Sequence, residues 1–405
     1  MANMSGSNVR FLPSGTLRMV VNKDNLIKSQ VAKESERAII RDYVDFTIKA
    51  SALTREELVM LDVIANADLK RGVYFSNPYG AQVSRALYEA GAVKQTGSNY
   101  VVKPVESDVP YDVEEFYDVI MNLSHYGNMS DPKVLTDYYA RRHTVQYRQQ
   151  FLALAKYYAQ TIDMATKAMS YPEEYIQSLK ERGDLANYNR LKNFRDNNAK
   201  VISEAKTRAA ALLNKSLQVM PASIVLDGGE PQQVAIIEVE GGRYPRYGDG
   251  LLTDYVQVYY EIGAKEQAEK LGLELAGHYE QAIRFFLNAP MKVVLNEGNH
   301  PDLFAALDMY FQLTGASNDV SGNPNGALAK RTMNFVNELL EKGIPSLYSR
   351  LESGVLDAGN KAEKYQWTLY TLKDYIEVLA ADYGLVDSKN APINVEQRDF
   401  NELIN

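Results

Sequence analysis

The chain has 405 residues and a formal net charge of −8, with 45% hydrophobic and 24% charged residues, a composition that excludes wholesale disorder. A length of this size predicts two or three domains, and the negative charge argues against a nucleic-acid partner. Cysteine is absent, which excludes disulfides, thiolate zinc sites and thiol nucleophiles.

Tyrosine is unusually frequent, with 28 Tyr against 12 Phe and a single Trp. A tyrosine side chain has an apolar ring and a polar tip, so it suits half-buried helix faces as well as concave binding surfaces. Amphipathic packing is the simpler interpretation of this excess, and ligand binding is the alternative.

The N-terminal part of the chain predicts a small α/β domain over residues 8–108. Two short strands around a Pro-Ser-Gly turn are expected in 9–22, and a helix followed by a strand in 33–50. Thr54 and Glu57 have the spacing of a capping box, which predicts a helix start. The remaining predicted elements are a strand at 72–75, an Asn-Pro-Tyr-Gly turn at 77–80, a helix at 81–90 and a strand at 100–102.

From residue 109 to 385 the pattern predicts a second, helical domain. It is interrupted by a β-hairpin at about 222–247, and residues 386–405 form a polar, weakly ordered tail. We therefore expect an α+β fold that is predominantly α. The predicted helices cover 112–122, 133–170, 172–220, 250–262, 264–288, 301–314, 326–343, 345–353 and 361–383.

One pair of these helices has the spacing of a tetratricopeptide repeat. Val256 and Tyr259 lie in the first helix, Gly263 ends it, and Ala268 is small enough to let the second helix approach closely. Other segments match this spacing poorly, so an irregular helical bundle remains the alternative.

No motif in the sequence predicts an active site, a metal site or a cofactor. The glycine-rich segments lack the spacing of phosphate-binding loops, and paired acidic residues fall at helix starts. The histidines do not occur at metal-ligand spacings; they are His125, His143, His278 and His300.

A short Arg/Tyr segment is the candidate binding site. Arg243, Tyr244, Arg246 and Tyr247 lie between two pairs of glycines, and Tyr259 follows on the next helix. Such residues can hold a carbohydrate or an acidic peptide, although a turn between the hairpin and a helix explains the segment more simply.

Three segments of the chain resemble one family. Residues 17–24, 58–75 and 117–128 are similar to the C-terminal soluble region of the Bacteroidetes DUF2723 membrane proteins, relatives of protein O-mannosyltransferases in glycosyltransferase family 117. Residues 251–290 also resemble the tetratricopeptide-like tail of that family, and the resemblance spans about 9–350. The family has Trp-Lys-Arg-Pro where this chain has Leu-Lys-Arg-Gly at 69–72.

The resemblance implies a membrane part with several helices that transfers sugar from a polyprenyl phosphate. The acidic catalytic residues of that part have no counterparts in this chain, and no stretch here approaches the ~20 apolar residues of a membrane span. The resemblance places the soluble region on the periplasmic side. A complete chain without an export signal would instead be cytoplasmic.

We therefore expect a non-catalytic periplasmic accessory region of a membrane glycosyltransferase-like protein. Its candidate partners are a protein or glycoprotein acceptor and its own membrane domain. Two alternatives stay open: a SusD-like glycan-binding protein, which predicts a lipobox cysteine and many exposed Trp, and a free-standing helical scaffold.

Overall fold

The computed structural model describes most of the chain up to residue 350. The described ranges are 15–49, 52–134, 138–223, 233–239, 242–247, 251–289, 300–343, 345–346 and 349–350. The chain divides into two compact units. Unit 1 comprises Met1–His125 and Asp163–Ile202, and unit 2 comprises Tyr126–Ile162 and Ser203–Asn405.

The described residues are mostly helical, with a small strand-containing unit at the N-terminal end, so the expected α+β, predominantly α fold is confirmed. The predicted domain limits at 108 and 385 remain predictions.

Unit 1 contains two small antiparallel sheets. Strands β1 and β2 pair so that Thr16 faces Thr47 and Val20 faces Tyr43. In the second sheet, β5 lies between β3 and β4, and the hairpin from β4 to β5 turns at Gly97, whose φ of +67° suits glycine. The strands are β1 (Thr16–Val20), β2 (Tyr43–Thr47), β3 (Tyr74–Phe75), β4 (Val93–Thr96) and β5 (Asn99–Val102).

Short helices surround these sheets. The helix predicted to start at Thr54 is confirmed, because the Thr54 side chain accepts from the Glu57 backbone and the Glu57 side chain accepts from the Thr54 backbone. The helices are α1 (Lys23–Lys28), a 3₁₀ turn (Glu34–Ile39), α2 (Arg55–Ala67), α3 (Gln82–Glu89), α4 (Val113–Asp118) and a π turn (Val119–Leu123).

The main core of unit 1 is a cluster of buried apolar side chains from both sheets and from α1 to α3, and a smaller separate cluster contains Ala165, Ala168 and Phe194. Leu26, Leu87 and Val101 are fully buried within the main core. Alternation along β2 buries Val44 and Phe46 and leaves the residues between them exposed. These strands therefore form because one face of each packs on the core.

The prediction of one long helix over 172–220 is wrong, because the structure has three separate helices in this range. Gly183 ends the first helix in the left-handed region at φ +79°, and the Asp184 side chain then caps the second. The helices of this stretch are α5 (Tyr138–Ala168), α6 (Glu173–Glu181), α7 (Leu185–Asp196) and α8 (Asn198–Val219).

Unit 2 is built mainly from helices, and α5 and α8 each belong to it in part. As predicted, Gly263 separates two helices, with φ +80°, and Ala268 is fully buried in the second. Gly272 brings α10 close to α12, because a Cβ there would overlap the Leu328 side chain. The helices are α9 (Leu251–Glu261), α10 (Lys265–Asn288), α11 (His300–Asn318), α12 (Ala327–Glu338) and a π turn (Leu339–Gly343).

The tyrosines of α9 show why unit 2 is rich in this residue. The Tyr255 hydroxyl lies 2.8 Å from Ser216 Oγ and donates to the Arg148 carbonyl. Tyr260 donates to Glu269 on α10 at 3.0 Å. Each ring fills the core while its hydroxyl satisfies a polar group on a neighbouring helix, so packing accounts for these tyrosines.

The predicted hairpin is present in part. Strands β6 (Gln233–Val239) and β7 (Gly242–Tyr247) pair antiparallel. The strand expected at 224–226, the turn at 228–229, the helix at 361–383 and the tail lie outside the described residues, as does most of the helix at 345–353.

Candidate functional site: a tyrosine cluster

The structure corrects the interpretation of the Arg/Tyr segment as a turn. Arg243, Tyr244, Arg246 and Tyr247 belong to β7, where Arg243 faces Glu238 of β6. A ladder of backbone hydrogen bonds therefore fixes this segment, which a turn would have left outside the sheet.

Tyr259 lies elsewhere, in the interior of unit 2. Its side chain is fully buried, and its hydroxyl donates to Asn214 Oδ1 at 2.7 Å. The residue joins α9 to α8, and no part of its ring is presented to solvent.

A different group of tyrosines comes together in unit 1. We define the tyrosine cluster as Tyr79, Tyr88, Tyr100 and Tyr111, which come from four separate segments of the chain. The Tyr79 and Tyr88 ring centroids are 5.3 Å apart at 63°, and those of Tyr88 and Tyr100 are 6.2 Å apart at 82°. Both are edge-to-face contacts, the arrangement that aromatic pairs prefer.

The backbone holds each member in place. Tyr79 lies in the Asn-Pro-Tyr-Gly turn, where its N–H donates to Asn77 Oδ1 at 2.9 Å. Tyr88 lies near the end of α3, and Tyr100 lies on β5 opposite Gln95 of β4. Tyr111 forms an isolated β-bridge with Gln95, on the side of β4 that faces away from β5. Tyr100 and Tyr111 thus flank one residue of the sheet.

The hydroxyls of Tyr88, Tyr100 and Tyr111 are uncharged at physiological pH. Burial raises the pKa of Tyr88 to about 12, with a hydrogen bond to Tyr79 and nearby phenol groups adding to the effect. Burial also raises the pKa of Tyr100 and Tyr111. These groups therefore act as neutral donors and acceptors, which excludes a nucleophilic phenolate at neutral pH.

Tyr79 is the member of the cluster that is most exposed to solvent. Its side chain is 53% exposed, whereas the other three members are half-buried. The exposed Arg85 side chain lies beside it, with its guanidinium carbon 5.8 Å from the ring centroid and one nitrogen donating to the Tyr79 carbonyl. The cluster is thus an aromatic surface with Arg85 at its rim.

A network of buried charges lies in the same unit. Lys103 Nζ is 2.9 Å from Glu36 and 2.7 Å from Asp112, and its side chain is buried. Lys94 donates to the carbonyls of Ser107 and Val109 at 2.8 and 2.6 Å. Both ammonium groups hold the segment that leads to Tyr111, so their role is to position it.

Glu115 is a carboxyl group of this region whose pKa is raised. Burial, followed by the charge of Asp112, raises its pKa, and the hydroxyl of the exposed Tyr74 is its hydrogen-bond partner. Burial and the neighbouring Asp112, opposed by Lys103 and Tyr74, account for the altered pKa of Glu115, and structural ion-pair networks commonly have this effect.

The N-terminal part of the chain matches the model of a known protein family. Residues 1–119 match TMEM260-associated domain 2. The matched family is linked to protein O-mannosyltransferase-like proteins. The matched range contains the whole tyrosine cluster.

Two other comparisons gave no match, one against curated proteins and one against solved structures. In the part of the chain that the structure describes, no helix has the length and apolar character needed to cross a membrane. Within the same residues, no group of His, Cys, Asp or Glu side chains is arranged to hold a metal ion.

Little in the sequence indicates that these four tyrosines come together. Its members are separated by 9, 12 and 11 positions and share no motif. The only signals were the high tyrosine content and the turn that carries Tyr79, and neither indicates which tyrosines meet in space.

Proposed function

We propose that this chain is a non-catalytic accessory region of a membrane protein O-mannosyltransferase-like glycosyltransferase and that it binds the acceptor or a protein partner. The observation that carries the proposal is the match of residues 1–119 to TMEM260-associated domain 2. The resemblance of residues 17–24, 58–75 and 117–128 to the DUF2723 soluble region supports the same parent class.

The described side chains agree with a binding role. The buried charges of unit 1 are paired or bound to backbone carbonyls, and the tyrosine cluster is an aromatic surface without a reactive anion. In unit 2, the helix pair around Gly263 has tetratricopeptide-like spacing, and stacked helices of that kind present extended surfaces to peptides. We propose a periplasmic location for the region on the basis of the resemblance.

Fractionation of the source cells tests the link to a membrane enzyme. An antibody against this chain is expected to detect a membrane-bound protein well above the 45.5 kDa of the chain itself. A soluble band at 45.5 kDa would contradict the proposal and favour a free-standing scaffold or binding protein.

A second experiment tests the accessory role. The full-length membrane protein and a version without this region are compared for sugar transfer from a polyprenyl-phosphate donor to a protein acceptor. We expect removal of the region to lower kcat/KM for the acceptor at least tenfold while leaving the KM for the donor unchanged. Transfer by the isolated chain, or an unchanged acceptor kcat/KM after removal, would contradict the proposal.

A further inference from the structure

We propose that the tyrosine cluster is a binding site for an uncharged pyranose sugar. The inference deepens the proposed function and rests on it for the origin of the sugar, which an acceptor or a glycosylated partner would carry. The juxtaposition that supports it is the exposed Tyr79 ring in edge-to-face contact with the half-buried Tyr88 ring, which in turn contacts Tyr100.

The first step concerns shape and polarity. A pyranose has apolar C–H faces and hydroxyls around its rim, so it is complementary to an aromatic ring with hydrogen-bonding groups beside it. Tyr79 supplies an exposed ring, and the edge-to-face contact with Tyr88 places a second phenol next to it. The cluster therefore offers both kinds of contact at one place.

The second step concerns charge. The pKa of Tyr88, Tyr100 and Tyr111 is raised by burial, so their hydroxyls both donate and accept hydrogen bonds, as sugar hydroxyls require. Arg85 is already in contact with the Tyr79 ring and carbonyl. Nearby Lys49 is paired with Glu89, and Arg41 donates to the Ala90 carbonyl, so these cations already have partners and an uncharged ligand fits better than an acidic peptide.

A second exposed tyrosine, Tyr43, serves as a comparison for Tyr79, because it lies outside the tyrosine cluster. Tyr43 is 49% exposed, close to the value for Tyr79, and Arg18 lies 3.9 Å above its ring centroid. That arginine is also fixed to Asp45 by two hydrogen bonds of 2.7 and 2.6 Å, so it covers one face of the ring. Tyr43 is therefore a matched control with a similar exposure and an arginine neighbour.

The test is saturation-transfer NMR on the purified chain. The probes are methyl α-mannopyranoside, methyl α-glucopyranoside and methyl N-acetyl-β-glucosaminide, each measured alone, with an acidic peptide of alternating Glu and Gly as the competing ligand class. We expect ring protons of at least one glycoside to receive saturation. Tyr79→Ala should lower that signal at least fivefold, while Tyr43→Ala leaves it unchanged.

Two further variants separate ring from hydroxyl contacts. Tyr79→Phe keeps the ring and should retain more signal than Tyr79→Ala, and Tyr88→Phe removes one hydroxyl and should reduce the signal without abolishing it. Circular dichroism confirms that each variant is folded, which the exposure of Tyr79 favours. Absence of saturation with all three glycosides, a signal that Tyr79→Ala leaves intact, or binding of the acidic peptide alone would overturn the inference.

The two proposals can fail separately. If fractionation shows a large membrane-bound protein and no glycoside binds, the sugar site is refuted and the accessory role stands. If a glycoside binds through Tyr79 and the protein is a soluble 45.5 kDa species, the membrane parent is refuted and the binding site stands.

Discussion

Lys94 and Lys103 are both buried, but their ammonium groups are stabilised differently. Lys103 has two carboxylates within 2.9 Å, and their hydrogen bonds and charges outweigh its desolvation and raise its pKa. Lys94 has only backbone carbonyls as hydrogen-bond acceptors, so burial, with help from the nearby charge of Arg41, lowers its pKa to about 8. Two lysines within ten positions of each other therefore have pKa values shifted in opposite directions.

This difference predicts a pH dependence of stability. A folded-state pKa near 8 lies below the ordinary lysine value of 10.5, so between these pH values the unfolded chain binds more protons than the folded one. We therefore expect the contribution of Lys94 to the free energy of unfolding to increase as pH rises from about 8 to 10. Urea unfolding of the wild type and Lys94→Met at several pH values measures it.

The exposed Lys49 provides the control, because its side chain is 76% exposed and pairs with Glu89 at the surface. Lys49→Met should differ from the wild type by a nearly constant amount over the same pH range. A stability difference between the wild type and Lys94→Met that stays flat from pH 8 to 10 would contradict the assignment.

At the scale of elements, single carboxylates link pairs of helices. One carboxylate oxygen of Glu57 accepts from the Thr54 backbone N–H and completes the capping box of α2. The other oxygen accepts, at 2.8 Å, from the backbone N–H of Gln82, which is the first residue of α3. Glu269 of α10 likewise accepts from Leu328 N in the first turn of α12. The residues before α3 and α12 are Ala81 and Gly326, which have no side-chain cap of their own.

Each glutamate therefore supplies a missing helix cap from another helix. The positive end of a helix favours a carboxylate, and an uncapped N–H group that is buried costs free energy. This fixes the start of α3, the helix that carries Tyr88, relative to α2.

Removing the charge of Glu57 tests this arrangement. Glu57→Gln keeps one acceptor oxygen and loses the charge, so we expect the protein to be destabilised by about 1–3 kcal/mol. Glu56→Gln, at an exposed position of the same turn, should cost less than about 0.5 kcal/mol. Chemical denaturation of both variants gives the comparison, and equal losses would show that Glu57 has no bridging role.

At the scale of the whole molecule, each of the two units has a set of fully buried apolar side chains. Leu87 is buried in the core of unit 1, and Leu275 is buried in unit 2. The cavity left by a Leu→Ala substitution at such a site typically costs about 2–5 kcal/mol. The loss should be confined to the unit whose core is damaged.

Hydrogen exchange followed by mass spectrometry checks this expectation. Leu87→Ala should increase exchange in strands β4 and β5 and leave α9 and α10 close to the wild type, and Leu275→Ala should do the reverse. An equal rise in exchange throughout both units after either substitution would show that they unfold as one.

Some features of this protein follow from local sequence and needed no structure. The Thr54 capping box, the glycine that separates α9 from α10, the burial of Ala268 and the α+β class all depend on residues a few positions apart. Their physical causes are hydrogen bonds within one turn, a positive φ and the size of one side chain. The helix break at Gly183 has the same kind of cause, a glycine with a positive φ.

Other features depend on contacts that only the tertiary structure decides. Glu57 meets Gln82 across 25 positions, and Lys94 meets the carbonyl of Val109 across 15. The four members of the tyrosine cluster are brought together by a turn, a helix and the pairing of β4 with its neighbours. Strand register and helix packing set these distances, and neither can be deduced from residue type or spacing along the chain.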